Sequence, residues 1–291
     1  MSVRARPLTT HGLGAVVTGV DLGRPLSGSE RGALLEILYT AGVVRVPARH
    51  LTAASLEAFA LALGVPEVVR PVAHRLSGSS YIRHQTSVPG LGVAGGGMYW
   101  HADGCWRPVP TAATVLGCVV APAGGGATRF VDARAVHRTL PSSLRTRSAA
   151  ATGLYPVRSI LAADHRAAGI DDPELLEALR DVRHPLVRRH PVTGEESLIL
   201  NQMMLAEVCA AEDAEGAELL AELYAAVEDT PFAYVHAWTP GDVLLWDNRI
   251  VMHRADPVPP KASKVTWRIT LDSIEPGALV SDVREGLRDD E

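Results

Sequence analysis

Two side chains able to bind a metal stand two positions apart in Tyr99-Trp100-His101-Ala102-Asp103-Gly104, just after the run Gly95-Gly96-Gly97. In extended backbone, alternate side chains share a face. An imidazole and a carboxylate so spaced could grip one ion. A lone His-x-Asp pair arises easily by chance, so it needs a third ligand and an anchor for whatever else binds. His253, in Trp246-Asp247-Asn248-Arg249-Ile250-Val251-Met252-His253, supplies the third at the expected end of a strand. Two histidines and one carboxylate cover one face of an octahedral ion and leave three positions open, as in non-haem Fe(II) oxygenases. Open positions admit a bidentate oxo-acid together with dioxygen. The far carboxylate of such an acid needs a cation. Arg268, in Val265-Thr266-Trp267-Arg268-Ile269-Thr270-Leu271, has suitable forked donors. Thr128 could add a hydroxyl. The same three ligands with a water also suit zinc, so a hydrolase is the competing reading. That reading leaves Thr128, Lys264 and Arg268 without a task. A non-catalytic binding module is a third reading, and the intact triad speaks against it.

The elements that must position these residues are short. Residues 13–22 suggest a strand. Ser29 can cap a helix through Ala41 with Leu34, Leu35 and Leu38 in one stripe, and Thr52 can cap a second with Leu56, Phe59, Ala60 and Leu63. Val43–Val46 reads as a buried strand between them. Residues 75–97 form a long Gly- and Ser-containing loop leading into His101, and such loops are often lids or binding loops. Residues 111–121 and Thr128–Val131 are β-like. Asp132 can cap a helix ending before Pro141, and 142–150 and 172–180 are further short helices. Val182–Arg189 and Ser197–Leu200 flank a Pro-Val-Thr-Gly turn and read as a hairpin. A helix over 212–228 is followed by strands at Tyr234–Trp238, Asp242–Trp246, Ile250–His253 and Val265–Leu271. Residues 280–291 are charged and expected to fray. No repeat or linker divides the chain, so one domain over 1–291, a β core with helical decoration, is expected.

Composition narrows the partners. The chain has 291 residues with a formal net charge of −5, and its arginines are scattered, which argues against a nucleic-acid or acidic-membrane partner. No stretch is long and apolar enough for a membrane span, and the first residues lack the apolar run of a signal peptide. Cys105, Cys118 and Cys209 show no C-x-x-C spacing, so reduced thiols in a cytoplasmic protein are expected.

The chain resembles the taurine dioxygenase family of Fe(II)- and 2-oxoglutarate-dependent oxygenases. The resemblance runs from GAVVTGVDLGRPLS through Gly42-Val43-Val44-Arg45-Val46, Trp100-His101-Ala102-Asp103, Gly125-Gly126-Ala127-Thr128, His184-Pro185-Leu186-Val187-Arg188 and Trp246-Asp247-Asn248-Arg249 to Trp267-Arg268. It implies a mainly β fold with flanking helices, a double-stranded β-helix or jelly roll. It also implies His101, Asp103 and His253 as Fe(II) ligands. Thr128 and a basic residue after His253 are implied as contacts of 2-oxoglutarate, the co-substrate used with O2. The family commonly has two arginines four apart at that place, and here they are Lys264 and Arg268. Arg268 with Lys264 as helper is the expected anchor. The implied chemistry couples decarboxylation of 2-oxoglutarate to succinate with oxidation, usually hydroxylation, of an unactivated carbon in a small-molecule substrate. Secondary metabolism is a setting that the breadth of the family allows. Related halogenases carry a small residue in place of the carboxylate, so Asp103 argues against halogenation. The loop before the triad covers the substrate in the family. His74 and Tyr81 are the preferred substrate contacts, with Asn201 a further pocket residue, and Arg83 and His84 leave room for an anionic substrate. Family members are often homo-oligomers.

Overall fold

The computed structural model describes residues 2–48, 50–94, 96–167, 179–209 and 216–274. The expectations for 172–178, 212–215 and 280–291 lie outside the described residues. A large sheet runs in the order Arg4–Pro7, Ala15–Thr18, Val43–Pro47, Asp242–Asp247, Ala113–Val120, Val265–Ser273, Arg83–Thr86 and Val93–Ala94, with Val65–Pro66 also joined to Val265–Ser273. A smaller sheet, Ala233–His236, Thr128–Asp132 and Val251–Ala255, faces it. The fold is mainly β with flanking helices, a jelly roll.

Side-chain alternation assigns the faces of the large sheet. Val44, Val46, Val115, Val243, Leu245, Ile269 and Leu271 pack outward beneath Leu34, Leu38, Leu56 and Leu63 of the helices Gly28–Ala41 and Ala53–Leu63. The alternate residues Val43, Leu116, Cys118, Leu244 and Trp246 pack inward against Phe130 and Val251 of the smaller sheet. The inner face therefore meets the smaller sheet, and the triad lies at that meeting. Each fully buried leucine of the outer cluster contributes about 1.5–3 kcal/mol relative to exposure, which fixes the strands from behind.

Several boundaries differ from expectation. Ser27, not Ser29, caps the first helix, because Glu30 completes a reciprocal box with it: the Ser27 side chain accepts from the Glu30 amide and Glu30 accepts from the Ser27 amide. Val182–Arg189 is not one arm of a hairpin. Val182–Pro185 pairs with Thr152–Tyr155, and only Val187–Arg189 pairs with Glu196–Leu198. The 75–97 segment holds two strands, Arg83–Thr86 and Val93–Ala94. The other expected strands match their places to within a few residues, whereas Arg4–Pro7, Val65–Pro66, Thr152–Tyr155 and Glu207–Cys209 are strands that the sequence did not signal.

Candidate active site

The triad is assembled by a two-bond bridge. The His101 amide donates to the His253 carbonyl at 3.0 Å, and the His253 amide donates back to the His101 carbonyl at 2.7 Å. The 99–103 segment is thus sewn onto the strand Val251–Ala255, and His253 sits inside that strand rather than at its end. Trp100 holds the segment from outside: its indole donates to Glu228 at 2.7 Å and its ring carries the Arg254 guanidinium at 4.8 Å. One ligand atom from each of His101, Asp103 and His253 lies within 4.8 Å of the others. The imidazole Nε2 atoms lie 3.5 Å (His101) and 3.8 Å (His253) from Asp103 Oδ1.

Two of the three candidate ligands, His101 and Asp103, have their far sides committed, whereas His253 Nδ1 is buried without a hydrogen-bond partner. His101 Nδ1 meets the Tyr99 carbonyl at 2.8 Å, which leaves Nε2 for the centre. Asp103 Oδ2 accepts from Thr114 Oγ1 at 2.7 Å, Thr114 accepts from Asn248 Nδ2 at 3.0 Å, and Asn248 Oδ1 accepts from Trp246 Nε1 at 2.9 Å. This chain leaves Oδ1 facing the histidines. Burial drives the His253 pKa down to about 3, helped by His101 and Arg268 and opposed by Asp103. His253 is therefore neutral at ordinary pH, the form that binds a metal. Burial alone would raise Asp103, but Arg268, His253 and His101 hold it well below the usual carboxylate range. Around an ion with ligands at about 2.1 Å, neighbouring donors lie about 3 Å apart, so the set closes on a small divalent ion with little movement.

Arg268 Nη2 stands 2.8 Å from Asp103 Oδ1, the oxygen turned toward the histidines, while Arg268 Nε is buried without a hydrogen-bond partner. Lys264 lies elsewhere. Its ammonium donates to the Gly126 carbonyl at 2.7 Å and sits 5.1 Å from the centre of the Trp238 ring. The Trp238 indole donates to Thr128 Oγ1 at 3.0 Å. Lys264 and Thr128 therefore share one neighbour, Trp238. Lys264 immediately precedes the strand Val265–Ser273, and Arg268 lies within it. Lys264 faces Gly126 and Trp238, whereas Arg268 faces Asp103.

The other sequence candidates fall as follows. Asn201 pairs by backbone with His101, but its side chain is spent locally: Oδ1 accepts from the amides of Met203 and Met204, and Nδ2 points to Cys105 Sγ at 3.7 Å. His74 closes a short 3-10 turn, Val72–His74, and is half-buried. Tyr81 packs against the outer apolar cluster. Thr114 and Asn248, which hydrogen-bond to Asp103 and to each other, are the neighbours of the triad that sequence reasoning missed.

Two expected results follow from the positioning groups. A Cβ at residue 97 would meet His101 Cε1 at 2.9 Å, in a backbone with φ +72°. Gly97→Ala should therefore weaken Fe(II) binding about tenfold by displacing the ring, as read by anaerobic calorimetry. Thr114→Val strands two buried polar groups beside Asp103 and should cost a similar factor, about tenfold. Thr114→Ser should restore binding, and equal binding by the valine and serine variants would remove Thr114 from the positioning role.

Jelly roll and triad together define a protein of the non-haem iron oxygenase class. The model of the family described as "Taurine catabolism dioxygenase TauD, TfdA family" matches residues 4–270, and the chain belongs to that family. It is an alpha-ketoglutarate-dependent dioxygenase, an oxidoreductase using Fe(II), 2-oxoglutarate and O2. The (S)-phenoxypropionate/alpha-ketoglutarate-dioxygenase of Sphingobium herbicidovorans is 31% identical over 275 residues, spanning 91% of this chain and 94% of that one. An alpha-ketoglutarate-dependent sulfate ester dioxygenase of Pseudomonas putida is 30% identical over 288 residues, 94% and 92% of the two chains. Among solved structures, a putative alpha-ketoglutarate-dependent taurine dioxygenase from Burkholderia xenovorans superposes with a TM-score of 0.77 at 25% identity, covering 93% of this chain and 89% of that one. AAD-2 in complex with Mn(II) and N-oxalylglycine gives 0.75 at 26% identity, covering 95% and 99%.

Proposed function

We propose that His101, Asp103 and His253 hold Fe(II), that Lys264 and Thr128 receive the distal carboxylate of 2-oxoglutarate, and that Arg268 serves the metal end of the same molecule. The chain then acts as one catalytic domain that oxidises, by hydroxylation, an unactivated carbon of a small molecule. Iron bound there supplies oxygen activation coupled to decarboxylation of 2-oxoglutarate to succinate and carbon dioxide. The protein's own residues place and protect. Thr114 keeps Asp103 single-pronged, so open positions remain on the metal. Buried Phe130 and Trp246, packed at 5.9 Å and 4.8 Å from the His253 ring, keep water from that side. Arg268 Nε is an unused buried donor that suits an arriving carboxylate oxygen.

The observation that carries this division is the separation of the two cations, Arg268 on Asp103 and Lys264 beside Trp238 and Thr128. It departs from a reading in which Arg268 is the principal anchor. A hydrolytic zinc site would give neither cation a task. His74 stays a candidate for the substrate side. Cys105, Cys118 and Cys209 are free, which supports a reducing, cytoplasmic setting. No described helix is long and apolar enough to cross a membrane. A homo-oligomer is the expected assembly. The test is succinate release and oxygen uptake with Fe(II), ascorbate and 2-oxoglutarate across a substrate panel. Absence of 2-oxoglutarate-dependent succinate under every condition sinks the reading.

A further inference from the structure

The smaller sheet hands the chain to the larger one through residues 237–241, between Ala233–His236 and Asp242–Asp247. Trp238 stands in that crossing, buried, with its indole on Thr128 and its face beside Lys264. One carboxylate ties the crossing at both ends. Asp242 Oδ1 accepts from Arg45 Nε at 2.9 Å, and Oδ2 accepts from the Thr239 amide at 3.1 Å. His236 Nε2 stands 3.2 Å from Oδ2, and the Tyr234 hydroxyl meets His236 Nδ1 at 2.8 Å. The His236 nitrogen turned to the carboxylate carries a proton, since a lone pair there would repel Oδ2. Burial alone would raise the Asp242 carboxyl, but His236 and Arg45 hold it below the usual carboxylate range, so the tie is anionic. The His236 ring meets the Trp238 ring edge to face, with centroids 4.6 Å apart and planes at 89°. His236 also lies directly opposite Thr128 across the ladder of the smaller sheet, so the two side chains rise on one face. The same knot therefore fixes Trp238 and the strand position from which Thr128 projects.

The effect of Trp238 on Thr128 follows from their donors. A threonine hydroxyl has one hydrogen to give and two lone pairs to receive. The indole N–H only donates, so its bond of 3.0 Å to Thr128 Oγ1 fills a lone pair. The hydroxyl hydrogen is thereby turned away from the indole and toward another acceptor. An ionised carboxylate is an acceptor only. Lys264 is prepared in parallel. One of its ammonium donors goes to the Gly126 carbonyl at 2.7 Å, and the Trp238 face, 5.1 Å away, attracts the charge. The other donors can turn to an incoming anion.

We propose that Trp238, held by the His236–Asp242 pair, is a positioning residue for the co-substrate, and that its indole N–H sets Thr128 as a hydrogen-bond donor to the distal carboxylate of 2-oxoglutarate. This rests on the reading above, which places that carboxylate at Lys264 and Thr128. Trp238 acts through Thr128, Lys264 and His236, none of them a candidate metal ligand. Its effect therefore falls on co-substrate affinity and spares the metal.

The test is anaerobic calorimetry, titrating 2-oxoglutarate into the Mn(II)-loaded protein. Trp238→Phe keeps a ring beside Lys264 and removes the N–H, and it should weaken binding about threefold to tenfold. Thr128→Val should weaken it about tenfold or more. The double variant should bind no more weakly than Thr128→Val alone, because the indole acts through the hydroxyl. His236→Phe, which keeps a ring against Trp238 without the nitrogen facing Asp242, should weaken binding about threefold with Thr128 present and not at all in the Thr128→Val background. Losses that multiply in the double variant, or an unchanged affinity in Trp238→Phe, overturn the proposal. Mn(II) affinity measured without 2-oxoglutarate should stay unchanged in Trp238→Phe. A parallel fall would make Trp238 a general support of the fold and overturn the proposal as well. Wild-type protein that binds no 2-oxoglutarate removes the oxygenase reading itself, whereas multiplying losses on intact wild-type binding remove only the role of Trp238.

Discussion

Asp103→Asn is expected to bind Fe(II) at least about 100-fold more weakly and to lose substrate oxidation. Asp103 has two claimants. In the structure its Oδ1 is held by Arg268 at 2.8 Å and its Oδ2 by Thr114 at 2.7 Å. A divalent ion must win Oδ1 from a singly charged guanidinium, and it does so by carrying twice the charge at a shorter distance. The measured loss of affinity is therefore the difference between two interactions, and it is smaller than the full strength of the metal bond. The metal-free protein pays separately. An amide leaves the Arg268 charge without its carboxylate in a largely buried place, a loss of about 3 kcal/mol, the low end for broken buried pairs because Arg268 keeps some solvent contact. Calorimetric Fe(II) titration and thermal unfolding of the metal-free protein check both parts. An Asp103→Asn protein with wild-type metal affinity would remove the carboxylate from the triad.

The triad was legible in the sequence because its chemistry is compact. His101 and Asp103 are two residues apart on extended chain, and His253 ends an apolar run in a segment rich in signals. What surrounds it was not. Thr114 lies in the run TAATVLGCVVA, where a β-branched residue looks like ordinary strand filling, and its contact with Asp103 depends on a pairing of distant strands. Asn248 sits inside Trp246-Asp247-Asn248-Arg249, a recognisable motif whose task emerges only when its amide meets Thr114 at 3.0 Å. Arg83–Thr86 has no alternation of apolar residues, so nothing local announces a strand; its partner Val265–Arg268 supplies the ladder. The two cations after His253 show the limit most directly. Both are basic and four residues apart, but which of them lies beside Asp103 depends on how the strand Val265–Ser273 passes it.

With Lys264 as the proposed partner of the distal carboxylate, that placement sets a pH limit on 2-oxoglutarate binding. Burial lowers Lys264 to about 8 from the ordinary lysine value of 10.5, with Cys118 and Asp256 pulling it back up. The groups around it are Cys118 on the neighbouring strand, Asp256 after the strand Val251–Ala255, the Gly126 carbonyl and the Trp238 face. Folding and binding then move in opposite directions. The unfolded chain holds more protons than the folded chain between about pH 8 and 10.5, so this residue's contribution to stability rises with pH through that window. Binding a carboxylate needs the ammonium, so affinity for 2-oxoglutarate should fall about tenfold per pH unit above about 8. The bound carboxylate raises the lysine's proton affinity in turn, so binding near pH 9 should take up close to one proton. Calorimetry in buffers of different ionisation enthalpy reads that proton directly. Lys264→Arg should flatten the alkaline limb, since a guanidinium stays charged throughout. Lys264→Met should weaken binding about 10- to 100-fold at pH 7, the worth of a charged hydrogen bond, while leaving little pH dependence behind. An unchanged alkaline limb in Lys264→Arg would move the distal carboxylate to Arg268.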